Sequence, residues 1–322
     1  PGHGIPAFPP SDSGGIQMMS LRAWWSLLGE VRKHGATVLA MNRRNLHYIY
    51  TRNERKHFPL ADDKLLAKEV LCAAGVRMPK THRTYSYFYE LRNLENDLGA
   101  YNDFVIKPAQ GSGGNGIIVI VGRKGDDWVG ISGKIYTAFD LRKHISDIIF
   151  GIYSFDLGDR AIIESRIVQH AEMSELSPLG LADVRVIMCD NIPVMSMTRV
   201  PTLQSDGKAN LHQGALGVAI NIASGITTHA RFLGQSIDRH PDTGIPVLGR
   251  TIPFWTEVVE LAERAAQAVP LKYLGVDISI SPDGPLLLEI NVRPGLEIQN
   301  VNDLGMLPIL QAITAQGISR NE

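Results

Sequence analysis

Apolar and polar positions follow two different periods along the chain. Helical spacing predicts helices over 21–31 and 38–50, and Asp62-Asp63-Lys64 predicts a third helix that ends near Gly75. Beyond residue 78, short apolar runs predict strands that alternate with further helices. The predicted strands cover 104–107, 117–121, 161–164, 184–188, 194–200, 275–280 and 285–290, and the helices cover 141–150 and 253–269. Neighbouring strands pair as hairpins, which indicates an α+β fold rather than a doubly wound parallel sheet.

Candidate metal chemistry lies at the end of the last predicted hairpin. Its two strands join at Ser281-Pro282-Asp283-Gly284, a strong turn signal. Alternation places Glu289 and Asn291 on the same face of the second strand, and Asp277 ends an apolar run in the first. Three oxygen ligands suit a hard cation that is held together with an anion such as a nucleotide phosphate. The alternative is an ordinary hairpin with solvated carboxylates, but the three residues together favour a metal site.

A glycine-rich loop between two predicted strands is the candidate phosphate site. It runs from Lys107 through Pro-Ala-Gln-Gly-Ser-Gly-Gly-Asn to Gly116. Positions without side chains let backbone N–H groups approach phosphate oxygens, and Lys107 adds a positive charge. The loop leads into a strand and lacks a Gly-Lys-Ser/Thr ending, so it is neither a Walker nor a Rossmann motif. A flexible turn would explain the loop alone, but together with the metal candidates it predicts nucleotide binding.

The order of these motifs resembles that of ATP-grasp enzymes. The matching segments are Asp-Lys-Leu-Leu-Ala-Lys at 63–68, Val-Ile-Lys-Pro with the glycine loop at 105–116, Ile-Ile-Glu at 162–164, Asp-Val-Arg-Val at 183–186, Gly-Val-Asp at 275–277 and Leu-Glu-Ile-Asn at 288–291. Within that superfamily, the chain is similar to the sugar-transfer-associated ATP-grasp and α-L-glutamate-ligase-like group. The features that point there are Asn210-Leu211-His212-Gln213-Gly214, His240-Pro241-Asp242-Thr243-Gly244, Gly284 to Glu289, and Asn291 with Pro294-Gly295.

The resemblance covers about Leu60 to Gly295 and implies an ATP-grasp fold, in which two α+β subdomains clasp ATP. It predicts four segments: a disordered linker or tag remnant at 1–17, a short basic helical region at 18–58, an N-terminal subdomain with the glycine loop at 59–165, and a C-terminal subdomain with the Mg²⁺ site at 166–322. Superfamily members usually begin with an α/β domain that helps to bind the acceptor, and the basic region at 18–58 is much shorter than such a domain. The resemblance therefore does not imply which acceptor this chain would use.

The resemblance also implies a role for each candidate site residue. ATP would be bound by phosphate-side cations, a closing loop and an adenine-side hinge: Lys64 and Lys107; Gly111, Ser112, Gly113, Gly114 and Gly116; Glu164, Ser165, Arg166 and Ile167. Mg²⁺ would be held by Asp277, Glu289 and Asn291, in agreement with the interpretation of the strand ends. The transferred phosphate or a substrate carboxylate would be held by Arg185, Arg199 and Arg293. Asn210 and His212 match a motif near the active cleft, although a structural role explains His212 equally well.

Composition narrows the classes of function. The chain has 322 residues, 44% of them hydrophobic and 20% charged, with a net charge of −1, which is typical of a soluble globular protein. The two cysteines, Cys72 and Cys189, are too few for a disulfide framework. We interpret both as core residues and expect a cytoplasmic protein. No apolar run is long enough to span a membrane.

The region between residues 21 and 58 is strongly basic, with eight Lys and Arg against two Glu. Such a region would attract an anionic acceptor, and a solvated helical face is the alternative interpretation. Neither an RNA-binding aromatic motif nor a zinc spacing accompanies it, so we expect no nucleic-acid partner. The oligomeric state does not follow from the sequence.

These expectations lead to three hypotheses of function. The first is an ATP-dependent carboxylate–amine ligase, which activates a small-molecule or peptide acid as an acylphosphate, joins it to an amine, and releases ADP and phosphate. The second is an ATP-grasp kinase that phosphorylates a small acceptor at the same Mg²⁺ site. The third is a regulatory module that binds ATP without turnover. The presence of Lys107, the glycine loop and all three metal candidates favours an enzyme, and a ligase is the prediction.

Overall fold

Two antiparallel sheets organise residues 35–111, 113–154 and 157–319, which are the residues that the computed structural model describes. The strands are β1 (Thr81–Tyr85), β2 (Phe104–Pro108), β3 (Ile118–Lys124), β4 (Asp127–Gly130), β5 (Ile135–Tyr136), β6 (Ala161–Glu164), β7 (Asp183–Cys189), β8 (Ile192–Val200), β9 (Leu216–Ile220), β10 (Thr227–Phe232), β11 (Gln235–Ser236), β12 (Tyr273–Ser281) and β13 (Gly284–Asn291). One sheet has the order β1-β6-β2-β3-β4-β5, and the larger one has the order β11-β10-β9-β8-β7-β12-β13.

Helices precede, connect and follow these strands. The α-helices are Met41–Arg44, Tyr50–Arg52, Pro59–Asp62, Lys64–Ala73, Leu94–Gly99, Ala138–Ile149, Ala171–Leu176, Trp255–Ala268, Glu297–Asn302 and Leu307–Ser319. A π-helical stretch, Asn45–Ile49, joins the first two, and 3₁₀ turns lie at Arg55–His57, Phe88–Asn93 and Leu211–Gln213. None of the helices in the described part of the chain is long and apolar enough to cross a membrane.

Two of the helices begin at caps that their sequence favours. The carboxylate of Asp63 accepts hydrogen bonds from the backbone N–H groups of Leu65, at 3.0 Å, and Leu66, at 3.2 Å. Thr137 and Asp140 form a reciprocal capping box at the start of Ala138–Ile149. Such caps satisfy backbone donors that the first helical turn leaves free, so they fix where each helix starts.

Each sheet has its own hydrophobic core. The core of the smaller sheet contains Phe104, Ile106 and Trp128, all almost fully buried. The core of the larger sheet contains strand residues such as Val276, and it also contains Leu71 from the helix Lys64–Ala73. This helix therefore packs with the larger sheet, although it precedes the smaller one in the chain. The predicted subdomain boundaries stay a prediction.

The predicted α+β class is confirmed, because both sheets are antiparallel and helices pack on them. The predicted hairpins β2–β3, β7–β8 and β12–β13 are present, and the helix predicted over 38–50 is present as three consecutive helical pieces. The sequence pattern misses β1, β4, β5, β9, β10 and β11, which are short or have no consistent alternation. The segment at 1–17 and the helix predicted over 21–31 lie outside the described residues.

The interpretation of both cysteines as core residues is wrong for Cys72. Cys189 is buried in β7, whereas Cys72 is exposed near the end of the helix Lys64–Ala73. The reason is the helical period: Ala67 and Leu71 form the buried face of this helix, and Cys72 follows on its outer side.

The two thiols should differ strongly in reactivity. Burial raises the pKa of Cys189 to about 12, and the neighbouring Asp190 contributes in the same direction. With a chromogenic disulfide reagent at pH 8, we expect one thiol to react rapidly in the native protein and the second only in denaturant. Cys72→Ser should abolish the rapid phase. Two rapid phases in the native protein would contradict the buried position of Cys189.

Candidate nucleotide and metal site

The three metal candidates come together where β12 and β13 pair. Asp277 lies opposite Glu289, and Gly275 lies opposite Asn291, so all three polar side chains lie on one face of the hairpin. The pairing register shifts directly after Asp277, as at a β-bulge. Such a shift bends a strand and redirects the side chains beside it. Asn291 Nδ2 lies 3.2 Å from Asp277 Oδ2 and 3.4 Å from Glu289 Oε1.

The donor set fits a hard cation. The Asn291 amide donates to two carboxylates at once, so a positively polarised group already lies between these two carboxylates. A half-turn of the amide would present Oδ1 instead, giving three oxygen donors of the kind that Mg²⁺ prefers. No group of three or more His, Cys, Asp or Glu with metal-binding geometry occurs among the described residues. The candidate site therefore consists of two carboxylates and one amide.

Asp277 is also the centre of a buried ion-pair network. Arg185 binds both of its oxygens, with Nε–Oδ1 at 2.7 Å and Nη2–Oδ2 at 2.5 Å. Arg199 donates to Asp277 Oδ2 at 2.7 Å and forms a two-point ion pair with Asp183. The Asp277 side chain is only 1% exposed. The network follows from strand pairing, because β12 pairs with β7 and β7 pairs with β8.

The two buried aspartates respond to this network in opposite directions. Burial alone would raise the pKa of Asp277, but Arg185 and Arg199 together hold it well below its usual range. Burial raises the pKa of Asp183, because Arg199 offsets only part of the cost of burying its charge. Arg185 and Arg199 thus lie beside the metal candidates with their guanidinium groups paired to aspartates. Their predicted role as anion ligands stays a prediction.

Lys64 connects the metal candidates with the glycine loop. Its Nζ donates to the backbone oxygen of Gly111 at 2.6 Å and lies 3.6 Å from Glu289 Oε2. Its backbone N–H also donates to Ala109 O at 3.0 Å. The two predicted parts of the nucleotide site, far apart in the sequence, therefore meet at one lysine.

The glycine loop has a backbone that requires glycine. Gly113, Gly114 and Gly116 have φ values of +67°, +77° and +75°, a region that L side chains rarely adopt. A Cβ at Gly111 would overlap the ring of Pro108, and one at Gly116 would lie 2.7 Å from the ring of Tyr153. The backbone is therefore free of side chains at these four glycines, which surround Ser112 and Asn115 in the sequence. Ser112, also predicted to bind the nucleotide, lies outside the described residues.

Lys107 lies in a buried cluster with Glu164 and Lys68. Lys107 pairs with Glu164 Oε1, and Lys68 Nζ lies 3.2 Å from Glu164 Oε2. Burial lowers the pKa of Lys68, although Glu164 opposes the shift. No role for Lys68 is predicted from the sequence. Its spacing of four residues from Lys64 was the available signal, because it puts both side chains on one helical face.

The predicted adenine-side hinge follows Glu164, which ends β6, the strand between β1 and β2 in the smaller sheet. The Ser165 N–H donates to Lys80 O at 2.9 Å, and Arg166 Nε lies 3.0 Å from Asp103 Oδ2. Ile167 is half-buried. These contacts tie the segment to the smaller sheet just before the chain enters the larger one. Adenine binding at this segment stays a prediction.

The remaining candidates occupy two different places. The side chain of Asn210 accepts from the His212 N–H at 3.0 Å, and Gln213 Nε2 lies 3.5 Å from Gly113 O. This motif therefore lies against the tip of the glycine loop, with the His212 side chain exposed. Arg293 is exposed and its guanidinium lies 5.0 Å from the centre of the Phe58 ring. Catalytic roles for Asn210, His212 and Arg293 stay predictions.

Two antiparallel sheets, a glycine loop with its lysines, and a carboxylate–amide strand end are the combination that the ATP-grasp resemblance implied. Residues 43–315 match the family model described as sugar-transfer associated ATP-grasp. The chain belongs to this family.

Curated relatives of this chain include ligases and a synthetase. A probable α-L-glutamate ligase of Trichodesmium erythraeum (strain IMS101) is 23% identical over 250 residues, which are 77% of this chain and 62% of the relative. A cyanophycin synthetase of Crocosphaera subtropica (strain ATCC 51142 / BH68) is 24% identical over 280 residues, 81% of this chain and 29% of the relative. The chain thus spans about three-fifths or less of the length of these relatives.

Among solved structures, D-cycloserine synthetase DcsG matches with a TM-score of 0.43 and 17% identity, over 80% of this chain and 70% of that one. The D-alanine–D-alanine ligase from Bacillus anthracis complexed with ATP matches with a TM-score of 0.43 and 14% identity, over 82% of this chain and 67% of that one.

Proposed function

We propose that this chain is an ATP-dependent ligase that joins a carboxylic acid to an amine through an acylphosphate. The observation that carries the proposal is the meeting of Asp277, Glu289 and Asn291 beside Lys64, which also contacts the glycine loop at Gly111. Membership of an ATP-grasp family and the ligase and synthetase names of the curated relatives support it.

The glycine loop and the lysines would bind the phosphates of ATP. Lys64 and Lys107 supply positive charge, and the loop supplies backbone N–H groups without side chains in the way. Lys107 pairs with Glu164, so binding of a phosphate by Lys107 would compete with this carboxylate. Lys68 would then keep Glu164 paired inside the protein, which lowers the cost of separating Lys107 from it.

Asp277, Glu289 and Asn291 would hold Mg²⁺, which when bound neutralises charge on the phosphoryl oxygens. The three residues differ in accessibility. The Glu289 side chain is 35% exposed, whereas that of Asp277 is 1% exposed and both of its oxygens are already bound by arginines. Glu289 is therefore the carboxylate most open to an incoming ion. Asp277 holds Arg185 and Arg199 at the same strand end.

The proposed reaction needs positioning and charge neutralisation more than a nucleophilic side chain. The γ-phosphoryl group of ATP is transferred to a carboxylate oxygen of the acid, and ADP leaves. The amine then attacks the acyl carbon, loses a proton, and phosphate leaves. Arg185 and Arg199 lie close to the metal candidates, where their charge favours anionic groups such as the phosphoryl group or the acid.

The test is to incubate the purified protein with Mg²⁺, ATP and a pool of amino acids, and to analyse the mixture by mass spectrometry. We expect ADP and a product that is lighter by one water than its two parent acids together. A product heavier by one phosphate would support the kinase instead. If no ADP forms with amino acids, peptides or sugar-linked acids, the proposed ligase activity is wrong and the regulatory module is supported. Glu289→Gln serves as the inactive control.

A further inference from the structure

The His240-Pro241-Asp242-Thr243-Gly244 motif has no part in the site described above, yet its histidine is fully buried. His240 Nε2 lies 3.0 Å from the backbone oxygen of Pro201, and Nδ1 lies 3.2 Å from the N–H of Asp242. Because a carbonyl can only accept and an N–H can only donate, these contacts assign Nε2 as the donor and Nδ1 as the acceptor. Both ring nitrogens therefore contact backbone groups, one in its own motif and one at Pro201. This is the arrangement of a structural histidine.

Asp242 binds the chain at the neighbouring residue Leu203. Its Oδ2 accepts from the N–H of Leu203 at 2.9 Å, so the motif binds the chain on both sides of Thr202. The contacts of His240 with Pro201 and of Asp242 with Leu203 each join residues that are 39 positions apart. A turn does not need contacts this distant to form. Thr202 is fully buried and its hydroxyl donates to Gly214 O at 2.6 Å. The loop from Pro201 to Gly214 is therefore closed at its base and held there by the motif.

The second half of this 201–214 loop, from Lys208 to Gln213, lies against the glycine loop. Gln213 Nε2 is 3.5 Å from Gly113 O, and Asn210 Nδ2 is 3.5 Å from the position that a Cβ would take on Gly113. The Lys208 side chain similarly lies 3.7 Å from the Cβ position of Gly114. The 201–214 loop therefore lies directly beside the glycine loop at Gly113 and Gly114.

We propose that His240 and Asp242 are positioning residues that fix the base of the 201–214 loop and so set the surface against which the glycine loop closes over the nucleotide. The inference rests on the proposed nucleotide site. The His-Pro-Asp-Thr-Gly motif would then stabilise a second loop as well as its own turn. It also predicts that damage to the motif changes nucleotide binding without changing any group that contacts the nucleotide.

The test uses Asp242, because its side chain is 20% exposed and can be replaced without opening the core as a substitution of His240 would. Asp242→Ala removes the acceptor of the Leu203 N–H, whereas Asp242→Asn retains an oxygen acceptor. Asp238→Ala is the matched control, since Asp238 is an exposed aspartate just before the same motif. The probe is the non-hydrolysable analogue AMP-PNP with Mg²⁺, measured by titration calorimetry. Hydrogen exchange of the peptide that covers residues 105–120 is the second readout.

We expect Asp242→Ala to weaken AMP-PNP binding about three- to tenfold, the effect of one lost hydrogen bond. The analogue should protect the glycine-loop peptide in the wild type and less in this variant. Asp242→Asn and Asp238→Ala should behave as the wild type, and melting temperatures should confirm folding of all three. Unchanged binding and protection in a folded Asp242→Ala, or an equal loss in Asp242→Asn, would overturn the inference. A wild type that does not bind AMP-PNP would overturn the proposed nucleotide site itself.

Discussion

Replacement of Glu289 by glutamine is expected to lower ADP production on the order of a hundredfold or more while the protein stays folded. The substitution keeps the size and one oxygen but removes the charge that would hold Mg²⁺ near the phosphates. Charge stabilisation by a metal ion is worth several kcal/mol, and each ~1.4 kcal/mol is a factor of ten in rate. ADP release in the presence of ATP, Mg²⁺ and the acceptor found by mass spectrometry is the measurement.

The stability of this variant should be close to that of the wild type. The Glu289 side chain is 35% exposed and its ion pair with Lys64 is 3.6 Å long, a kind of contact that contributes less than about 1 kcal/mol. Glu260→Gln is the matched control, because Glu260 is exposed on the helix Trp255–Ala268 and the same charge is lost. If Glu289→Gln retains most of the activity, this carboxylate does not hold the metal ion.

Asp277→Ala is expected to act first on stability, with a loss of about 3–5 kcal/mol in the free energy of unfolding. Its removal leaves Arg185 and Arg199 buried with one carboxylate, that of Asp183, for two guanidinium groups. An unpaired buried charge has lost its hydration and gains nothing in return. Urea unfolding of the two proteins at pH 7, followed by circular dichroism, gives the difference.

The loss of stability in Asp277→Ala should depend on pH. The folded-state pKa of Asp277 is depressed, so its contribution is complete above the unfolded-state value of about 3.9 and is lost as the pH falls through the folded-state pKa. The part of the difference that comes from the Asp277 charge should therefore be complete near neutral pH and shrink only below about pH 4, whereas the raised pKa of Asp183, to which Asp277 contributes, adds a separate change at higher pH. Asp283→Ala, in the exposed turn of the same hairpin, should cost less than about 0.5 kcal/mol. A similar loss for both variants would mean that Asp277 does not hold the network together.

The hairpin that carries the metal candidates could be predicted because its signals are local. Two apolar runs flank a Pro-Asp-Gly turn, and the period of a strand then assigns Glu289 and Asn291 to one face. The ion-pair network around Asp277 could not be predicted in this way. It depends on β12 pairing with β7 and on β7 pairing with β8, and β7 lies about ninety residues before β12 in the chain. Pairing partners so distant in sequence leave no mark on the local pattern.

Other parts of the site were only partly accessible from the sequence. Lys107 and the glycine loop were found because the residue types themselves carry the signal. The position of Arg293 over Phe58 depends on how the helices before residue 60 pack against the larger sheet, which no short motif records. The contact of Gln213 with Gly113 likewise depends on the folding of two loops a hundred residues apart. Short sequence segments therefore show which functional groups are present, but the contacts of each group depend on the fold.

The helix Lys64–Ala73 has a mechanical consequence for the cleft between the two sheets. Its apolar side, including Leu71, belongs to the core of the larger sheet, while Lys64 and Lys68 reach Gly111 and Glu164 of the smaller one. Withdrawal of Leu71 alone would expose a fully buried side chain at a cost of about 2–3 kcal/mol. The lysine ends carry exchangeable polar contacts that water or phosphate can replace. If the sheets move apart, the helix therefore travels with the larger one. The contacts that break are those of the two lysine tips and the hydrogen bond from the Lys64 N–H to Ala109 O.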